Sequence, residues 1–202
     1  MGRLRILAPT LLEYLAAACA LPIRDVTWAG VGLARWRGTA GGARLVICGL
    51  AGALAEDVPP GTVLIPARIG LPDGRSFQCD SGIVQALVAA ARAMRLPADT
   101  RPMLTSSTLV VGEARAYWAR RGFASVDMET GKAASQGTSV ATIRVALDGP
   151  RNEISRLWER PLEALRQPAL RTQGLWLVQT APRYALRAAR VLNAGLQNIT
   201  DG

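Results

Sequence analysis

Short apolar runs that end at turn residues dominate the first half of the chain. Short apolar runs that are bounded by Gly and Pro residues are typical of buried strands. Pro9 follows the first run, the triplet Gly30-Val31-Gly32 closes the second, and Pro72-Asp73-Gly74 predicts a hairpin turn. The strands predicted in this half are 4–8, 26–31, 44–48 and 62–69.

Segments with helical spacing of apolar residues alternate with these strands. The first begins at Thr10, and Glu13 three residues later completes the pattern of a capping box. The predicted helices are 10–20, 81–95, 112–121, 130–136, 152–166 and 172–196, and the further strands are 103–107, 124–128 and 139–147. This alternation predicts a single α/β domain over 1–202, with a central, mixed and mostly parallel sheet between helical layers and a helical tail at about 152–200.

Composition narrows the class of protein. Half of the residues are apolar and 19% are charged, so the chain can form a core and is not disordered. The longest apolar stretch, 4–20, is interrupted by Pro9 and Glu13, and it falls short of the ~20 residues that span a bilayer. The three cysteines are widely spaced, which predicts three buried, reduced thiols in a cytoplasmic protein.

The chain contains no histidine, and its positive charge is almost entirely arginine. The lack of histidine excludes Ser-His-Asp and Cys-His catalysis and histidine-based metal sites, and we expect neither a metal nor a cofactor. The net charge of +9 includes one lysine, Lys132. Arg115, Tyr117 and Trp118 mix basic and aromatic side chains on one predicted helix, but no nucleic-acid-binding motif accompanies them, and we expect no nucleic-acid partner.

The last predicted helix has an apolar stripe and a basic stripe formed by Arg183, Arg187 and Arg190. Two interpretations stay open for the basic stripe. It is either the solvated face of a docked helix or a surface that contacts anionic lipid headgroups at the inner face of the membrane.

Polar residues stand where several predicted strands end. Ligands of parallel α/β sheets bind at the carboxyl ends of strands. The residues at these ends are Glu13, Ser106, Ser107, Thr108, Glu129 and Asp148. A carboxylate that leaves an apolar strand is costly to bury unless it is paired or used, so Glu129 and Asp148 are the first candidates.

Three segments carry a resemblance to a known family. ICGLAGAL (47–54), VDMETGKAA (126–134) and IRVALDGP (143–150) resemble, in order and spacing, the purine nucleoside phosphorylase and methylthioadenosine/S-adenosylhomocysteine nucleosidase superfamily. The resemblance covers about 4–150 and is greatest to the hopanoid-biosynthesis-associated branch, whose members are thought to remove adenine from adenosylhopane. It implies cleavage of the N-glycosidic bond of an adenine nucleoside with an apolar, lipid-like 5′ substituent, and a homodimer.

The resemblance also implies roles for individual residues. Asp148 would donate a proton to N7 of the base, and Glu13 would activate water. Glu129 and Met128 would hold the ribose. A turn containing Gly49 and Gly52 belongs to the same template, and from their place at a strand end we expect Ser106 and Ser107 to line the substrate pocket with it.

Each candidate also has a structural interpretation. Asp148 before Gly149 can start a turn, Glu129 can favour a helix dipole, and Glu13 can serve only as a cap. Gly49 and Gly52 can simply permit a tight turn.

The attacking nucleophile stays open at this point. Phosphorylases of this superfamily carry an Arg and a Ser directed at phosphate where this chain has Ile47 and Leu50, which favours water. The usual label of the branch favours inorganic phosphate. Alternatively, the chain is a catalytically silent protein of the same fold. Such a protein would bind a nucleoside or a lipid and dock on a membrane-associated complex.

Overall fold

The computed structural model describes residues 4–38, 43–159, 163–164 and 166–200. Its strands join into one sheet with helices packed against it, so the predicted α/β fold is confirmed. The strands are β1 Leu4–Ala8, β2 Val26–Trp28, β3 Arg44–Ala53, β4 Val63–Leu64, β5 Arg68–Gly70, β6 Ser76–Gln78, β7 Ala98–Asp99, β8 Met103–Thr105, β9 Ser125–Asp127 and β10 Ser139–Asp148. The helices are α1 Leu11–Ala20, α2 Ser81–Ala93, α3 Glu113–Arg120, α4 Thr130–Ala134 and α5 Arg171–Thr200.

The long strands β3 and β10 form the parallel centre of the sheet. On its other edge, β3 pairs with β1 in parallel over its first half and with β9 in antiparallel over its last residues. Strand β2 extends the sheet in parallel beyond β1. The carboxyl ends of β1, β2, β3 and β10 therefore lie at the same edge, where a parallel sheet places its ligand site.

Both faces of the central strands are buried. Alternate residues of β3 belong to two apolar clusters, with Val46 and Cys48 in the first and Leu45 and Ile47 in the second. The first cluster is formed with α1, α2 and α5, and the second includes residues of α4. Burial on two sides explains why these strands are apolar runs without alternation.

The glycine-rich turn predicted after residue 48 is wrong, because β3 continues through Gly49 and Gly52 to Ala53. Because these two glycines have no side chain, other groups can approach the strand closely at their positions. A Cβ atom at Gly49 would lie 2.2 Å from a carboxylate oxygen of Glu13, and one at Gly52 would lie 3.0 Å from a carboxylate oxygen of Asp148. Glycine inside a strand often marks such an approach.

Three other predicted elements differ from the structure. The strand 62–69 is divided into β4 and β5 around Pro66, which has no N–H for a ladder. The strand 26–31 ends at Trp28, because Gly30 has a positive φ of 76°. The helix 152–166 does not begin at Asn152, which pairs with Gly149 in an isolated bridge; a 3-10 turn at Arg156–Glu159 follows, and 160–162 and 165 lie outside the described residues.

The remaining helix predictions agree closely with the structure. The capping box of Thr10 and Glu13 is present at the start of α1. Helix α5 is longer than predicted and is docked through small and apolar residues that include Ala188, Ala189 and Leu192. Among the described helices, none is both long and apolar enough to cross a membrane.

The prediction of three buried thiols is correct for Cys48 and Cys79 but wrong for Cys19, which is exposed. Helix α1 buries the face of Glu13 and Ala17, four residues apart. Cys19 lies on the solvent face of the same helix.

Candidate functional site

A fully buried arginine, Arg144 on β10, organises the carboxyl edge of the sheet. Its Nη2 donates to Oδ2 of Asp127 at 2.8 Å and to Oε2 of Glu129 at 2.9 Å. Its Nε donates to the hydroxyl of Thr142 at 3.2 Å and its Nη1 to the carbonyl oxygen of Leu50 at 3.3 Å. A guanidinium group is tolerated in a protein core only when acceptors such as these pair with its N–H groups.

Glu13 reaches this centre from the first turn of α1. Its Oε1 accepts the N–H of Leu50 at 2.6 Å and lies 3.9 Å from Nη1 of Arg144. Its Oε2 accepts the N–H and the hydroxyl of Thr10, both at 2.7 Å. One carboxylate therefore caps α1 and faces the arginine, so the structural role is confirmed without removing Glu13 from the candidate site.

Glu129 joins the centre to the loop after β2. Its Oε1 accepts the N–H of Gly32 at 2.8 Å, while Oε2 is held by Arg144. Burial raises the pKa of Glu129, and the guanidinium of Arg144 opposes that rise. Met128, beside it, is half-buried.

Asp127 and Arg144 were not among the residues chosen from the sequence. Asp127 accepts the hydroxyl of Thr105 at 2.5 Å, the N–H of Thr130 at 3.0 Å and the hydroxyl of Thr130. Both charged residues stand within the segments that carried the family resemblance. A charged residue inside an apolar strand is the signal that would have identified Arg144.

The charge of this Arg144 centre is unbalanced. The carboxylates of Glu13, Asp127 and Glu129 surround the single guanidinium of Arg144. An anionic ligand would add to this excess of negative charge, whereas a ligand that develops positive charge would reduce it. The arrangement therefore suits a cationic or electron-poor group.

Asp148 belongs to a second buried cluster. Its Oδ2 accepts hydrogen bonds from Nη2 of Arg115 on α3 and from the N–H of Ile154. Arg115 is 3% exposed and also binds the carbonyl oxygen of Ala53 at 2.6 Å and Oε1 of Glu153 at 3.1 Å. Burial raises the pKa of Asp148, and the Arg115 guanidinium opposes that rise.

The sheet register explains the separation of the two clusters. Arg144 is opposite Gly49 and Asp148 is opposite Gly52, with a register shift between Ala146 and Asp148. Four residues of strand separate the Cα atoms of Arg144 and Asp148 by about 13 Å. The structure thus brings Glu13, Glu129 and Gly49 together, and it places Asp148 and Gly52 beside Arg115.

Among the described residues, the side chains of the two predicted serines form no hydrogen bond with either cluster, and only the backbone N–H of Ser106 reaches the first, donating to the carbonyl oxygen of Asp127 at 2.9 Å. Ser106 donates to the carbonyl oxygen of Thr108 at 2.8 Å and accepts its N–H at 3.2 Å, which closes a local turn. Ser107 is exposed. The lone lysine, Lys132, is half-buried with its Nζ 3.4 Å from the carbonyl oxygen of Gly32.

A cavity of about 370 Å³ lies next to the Asp148 cluster. Its lining includes Leu54, Arg115, Ala116, Ala119, Pro150 and Glu153. No group of His, Cys, Asp and Glu residues that could hold a metal ion occurs among the residues with described positions.

Solved structures with the same fold come from nucleoside-cleaving enzymes. The 5′-methylthioadenosine/S-adenosylhomocysteine nucleosidase of Helicobacter pylori matches with a TM-score of 0.71 and 12% identity over 98% of each chain. Futalosine hydrolase of the same organism gives the same values. S-adenosylhomocysteine nucleosidase from Streptococcus pyogenes matches with a TM-score of 0.71 and 15% identity, again over 98% of each chain. At these identities the likeness shows a shared fold.

The family comparison covers the strands and the candidate site. No curated protein matches the chain significantly. The family model of the phosphorylase superfamily matches residues 34–164, which include Gly49, Asp127, Glu129, Arg144 and Asp148. This match extends over more than half of the 202 residues. The chain belongs to the phosphorylase superfamily.

Proposed function

We propose that the protein is a nucleosidase that hydrolyses the N-glycosidic bond of an adenine nucleoside with an apolar 5′ substituent. The observation that carries the proposal is the buried excess of carboxylates around Arg144, in a chain of this superfamily. When the bond between C1′ and the base breaks, positive charge develops on the ribosyl group. Preorganised negative charge stabilises that state more than the neutral substrate.

We assign the roles that the family resemblance implies, and the contacts of each carboxylate support them. Glu129 and Met128 hold the ribose, with Glu129 oriented by Arg144 and the N–H of Gly32. The C1′–N9 electron pair leaves with the base, and N7 takes a proton from Asp148. Water bonds to C1′ and gives a proton to Glu13, and exchange with solvent returns Asp148 and Glu13 to their starting states. The sum is nucleoside plus water giving base plus ribose.

The charge balance favours water over phosphate as the nucleophile. A phosphate dianion next to the excess carboxylates would be repelled. Arg144 donates from Nε, Nη1 and Nη2 to protein acceptors. The positions that hold phosphate in phosphorylases are the apolar Ile47 and Leu50.

Exposed apolar side chains near the carboxyl edge of the sheet support the proposal that the 5′ substituent is apolar. Leu11 and Leu15 follow β1, Trp28 ends β2, and Val31 lies in the loop whose Gly32 binds Glu129. All four side chains are exposed. A hydrocarbon substituent on the nucleoside would cover such side chains, as the proposed substrate adenosylhopane requires. The homodimer and the membrane contact of the arginine-rich helices remain predictions.

The named relatives supply the comparison substrates. The test measures base release from methylthioadenosine, S-adenosylhomocysteine, adenosine and an adenosine with a long 5′ alkyl chain, each with and without phosphate. We expect adenine and free pentose without phosphate, with the highest kcat/KM for the alkyl substrate. The variant Glu13→Gln should lose most of the activity, and Asp73→Asn, an exposed carboxylate in the turn between β5 and β6, should keep it.

Two outcomes would overturn the proposal in different ways. A strict requirement for phosphate, with pentose 1-phosphate as product, would replace hydrolysis by phosphorolysis. Tight binding of the nucleosides without base release under either condition would favour the catalytically silent protein.

A further inference from the structure

Arg115 is the only residue of α3 that is buried, and its donors spread over three parts of the chain. Its Nη1 binds the end of β3 at Ala53, its Nε binds the carbonyl oxygen of Val110 at 3.0 Å, and its Nη2 binds Asp148 at the end of β10. A planar guanidinium with this many fixed partners has one orientation. Asp148 is therefore presented by a rigid support.

The two oxygens of Asp148 are unequal as a result. Oδ2 receives both Arg115 and the N–H of Ile154, whereas Oδ1 has no hydrogen bond to a described residue. Every fully buried side-chain oxygen or nitrogen among the described residues has a partner, so Oδ1 is reachable from outside. It lies 3.0 Å from where a Cβ atom of Gly52 would stand, and the glycine leaves space there for a ligand atom.

The segment after β10 is tied to the same arginine. Glu153 accepts the N–H of Gly112 at 2.8 Å and contacts Nε of Arg115 at 3.1 Å. Gln173 at the start of α5 donates to the carbonyl oxygen of Glu153 and accepts the N–H of Ser155. Arg115 thus holds Asp148 and the segment that follows it in one arrangement.

We propose that Arg115 is a positioning residue for the leaving base, which turns Oδ1 of Asp148 toward the purine and adjusts the strength of that acid. The proposal rests on the proposed nucleosidase function. Oδ2 is already saturated by donors, so Oδ1 carries the transferable proton. A neighbouring guanidinium makes a carboxylic acid stronger, and a stronger acid transfers its proton more completely to the departing base.

The pH profile gives the proposal its test. The acid form of Asp148 is needed for base release, so kcat falls as the pH rises through the pKa of Asp148. Burial raises that pKa, and Arg115 is the main group that lowers it, with a further contribution from the N–H of Ile154 that the substitution leaves in place. In Arg115→Met the fall in kcat must therefore occur at higher pH than in the wild-type protein, and a misaligned acid should lower kcat at neutral pH by about a hundredfold.

The control is Arg92→Met, an exposed arginine on α2 that does not line the cavity beside Asp148 and should leave the pH profile and kcat unchanged. Arg115→Lys keeps a charge without the planar fork and should restore the position of the fall but only part of kcat. A wild-type pH profile in Arg115→Met with lowered kcat would overturn the proposal, because a merely structural role predicts that result.

A second measurement does not depend on activity. The carboxyl carbon of Asp148 is followed by NMR as a function of pH in the wild-type protein, Arg115→Lys and Arg115→Met, with Asp148→Asn used to assign the signal. We expect the Asp148 titration to move to higher pH in Arg115→Met. An unchanged titration in folded protein contradicts the inference even if no nucleoside is cleaved, whereas a shifted titration in a protein that releases no base leaves it standing and refutes the nucleosidase function. If Arg115→Met does not fold, Arg115→Lys decides: a full wild-type kcat in that variant would overturn the proposal, because the planar fork would then not be needed to orient Asp148.

Discussion

A Cβ atom at Gly49 would lie 2.2 Å from Oε1 of Glu13, so α1 can deliver its carboxylate to β3 only across a glycine. The same carboxylate binds the N–H of Leu50, the next residue of the strand. The sequence spacing of Glu13 from Thr10 accounts for the cap. The glycine accounts for the contact with the strand.

Gly49→Ala tests this relationship. The added methyl group forces Glu13 away from Leu50 and from Arg144, so we expect a loss of at least tenfold in kcat and destabilisation of about 1–3 kcal/mol from overpacking. Activity and urea unfolding measure the two effects. Gly82→Ala is the control, since its Cβ atom would make ordinary contacts at 3.5 Å or more. An active Gly49→Ala protein of wild-type stability would contradict the role given to the glycine.

Arg144→Met should be one of the most damaging single changes in the protein. It leaves three buried or nearly buried carboxylates without their cation, and loss of one partner of a buried pair costs about 3–5 kcal/mol. Acid should relieve part of the defect, because protonation removes the repulsion. Urea unfolding at neutral and mildly acidic pH measures this, with the exposed Arg183→Met as control. A defect that is equal at both pH values would argue against a charge origin.

The unfolding free energy of the wild-type protein should depend on pH through the titration of Glu129. Burial raises the folded-state pKa of this carboxyl above its ordinary value of 4.5. For an acid with a raised pKa, its contribution to stability is complete below the unfolded-state pKa and is lost as the pH rises through the folded-state pKa. The unfolding free energy of wild type should therefore fall relative to that of Glu129→Gln as the pH rises above about 4.5.

Unfolding curves of the two proteins across the acidic and neutral range test that difference. Glu56→Gln changes an exposed carboxylate and should run parallel to wild type. A difference between wild type and Glu129→Gln that does not vary with pH would show that Glu129 titrates alike in the folded and unfolded chain.

The cysteines should differ sharply in reactivity. Burial raises the pKa of Cys48 and of Cys79 to about 12, so both remain thiols at neutral pH, whereas Cys19 is exposed on α1. The thiolate is the reactive form. A chromogenic disulfide reagent should modify one thiol rapidly in the native protein and the other two only on unfolding. Cys19→Ser should abolish the rapid phase, and rapid labelling that survives this change would be inconsistent with the burial of the other two.

The local elements were largely predictable because local chemistry specifies them. Thr10 and Glu13 start α1 through a capping box, and the helices 81–95 and 112–121 correspond to α2 and α3 within two residues at each end. The sequence pattern was misleading where one residue type can serve two structural purposes. Gly49 and Gly52 suggested a turn, but they allow close approach within a strand, and nothing adjacent in the chain distinguishes the two.

The residues of the candidate site also fall into two groups: those that the sequence indicated and those that only the structure revealed. Glu129 and Asp148 could be chosen from the sequence because a carboxylate that leaves an apolar strand is costly to bury unless it is paired or used, and Glu13 was chosen through the family resemblance. Asp127 and Arg144 were missed although they lie in the same segments, since their meaning depends on meeting each other 2.8 Å apart. Arg115 stood on a helix with other arginines, and only its burial beside Asp148 distinguishes it.

The sequence by itself determined the fold class, the positions of most strands and helices, and the family to which they point. These depend on turn residues, capping and the spacing of apolar side chains, which act over a few positions. Only the tertiary structure decided which charges are shared: Arg144 with three carboxylates, and Arg115 with Asp148 and Glu153. Ion pairing inside a core depends on distances between residues far apart in the chain, and no local pattern encodes those distances.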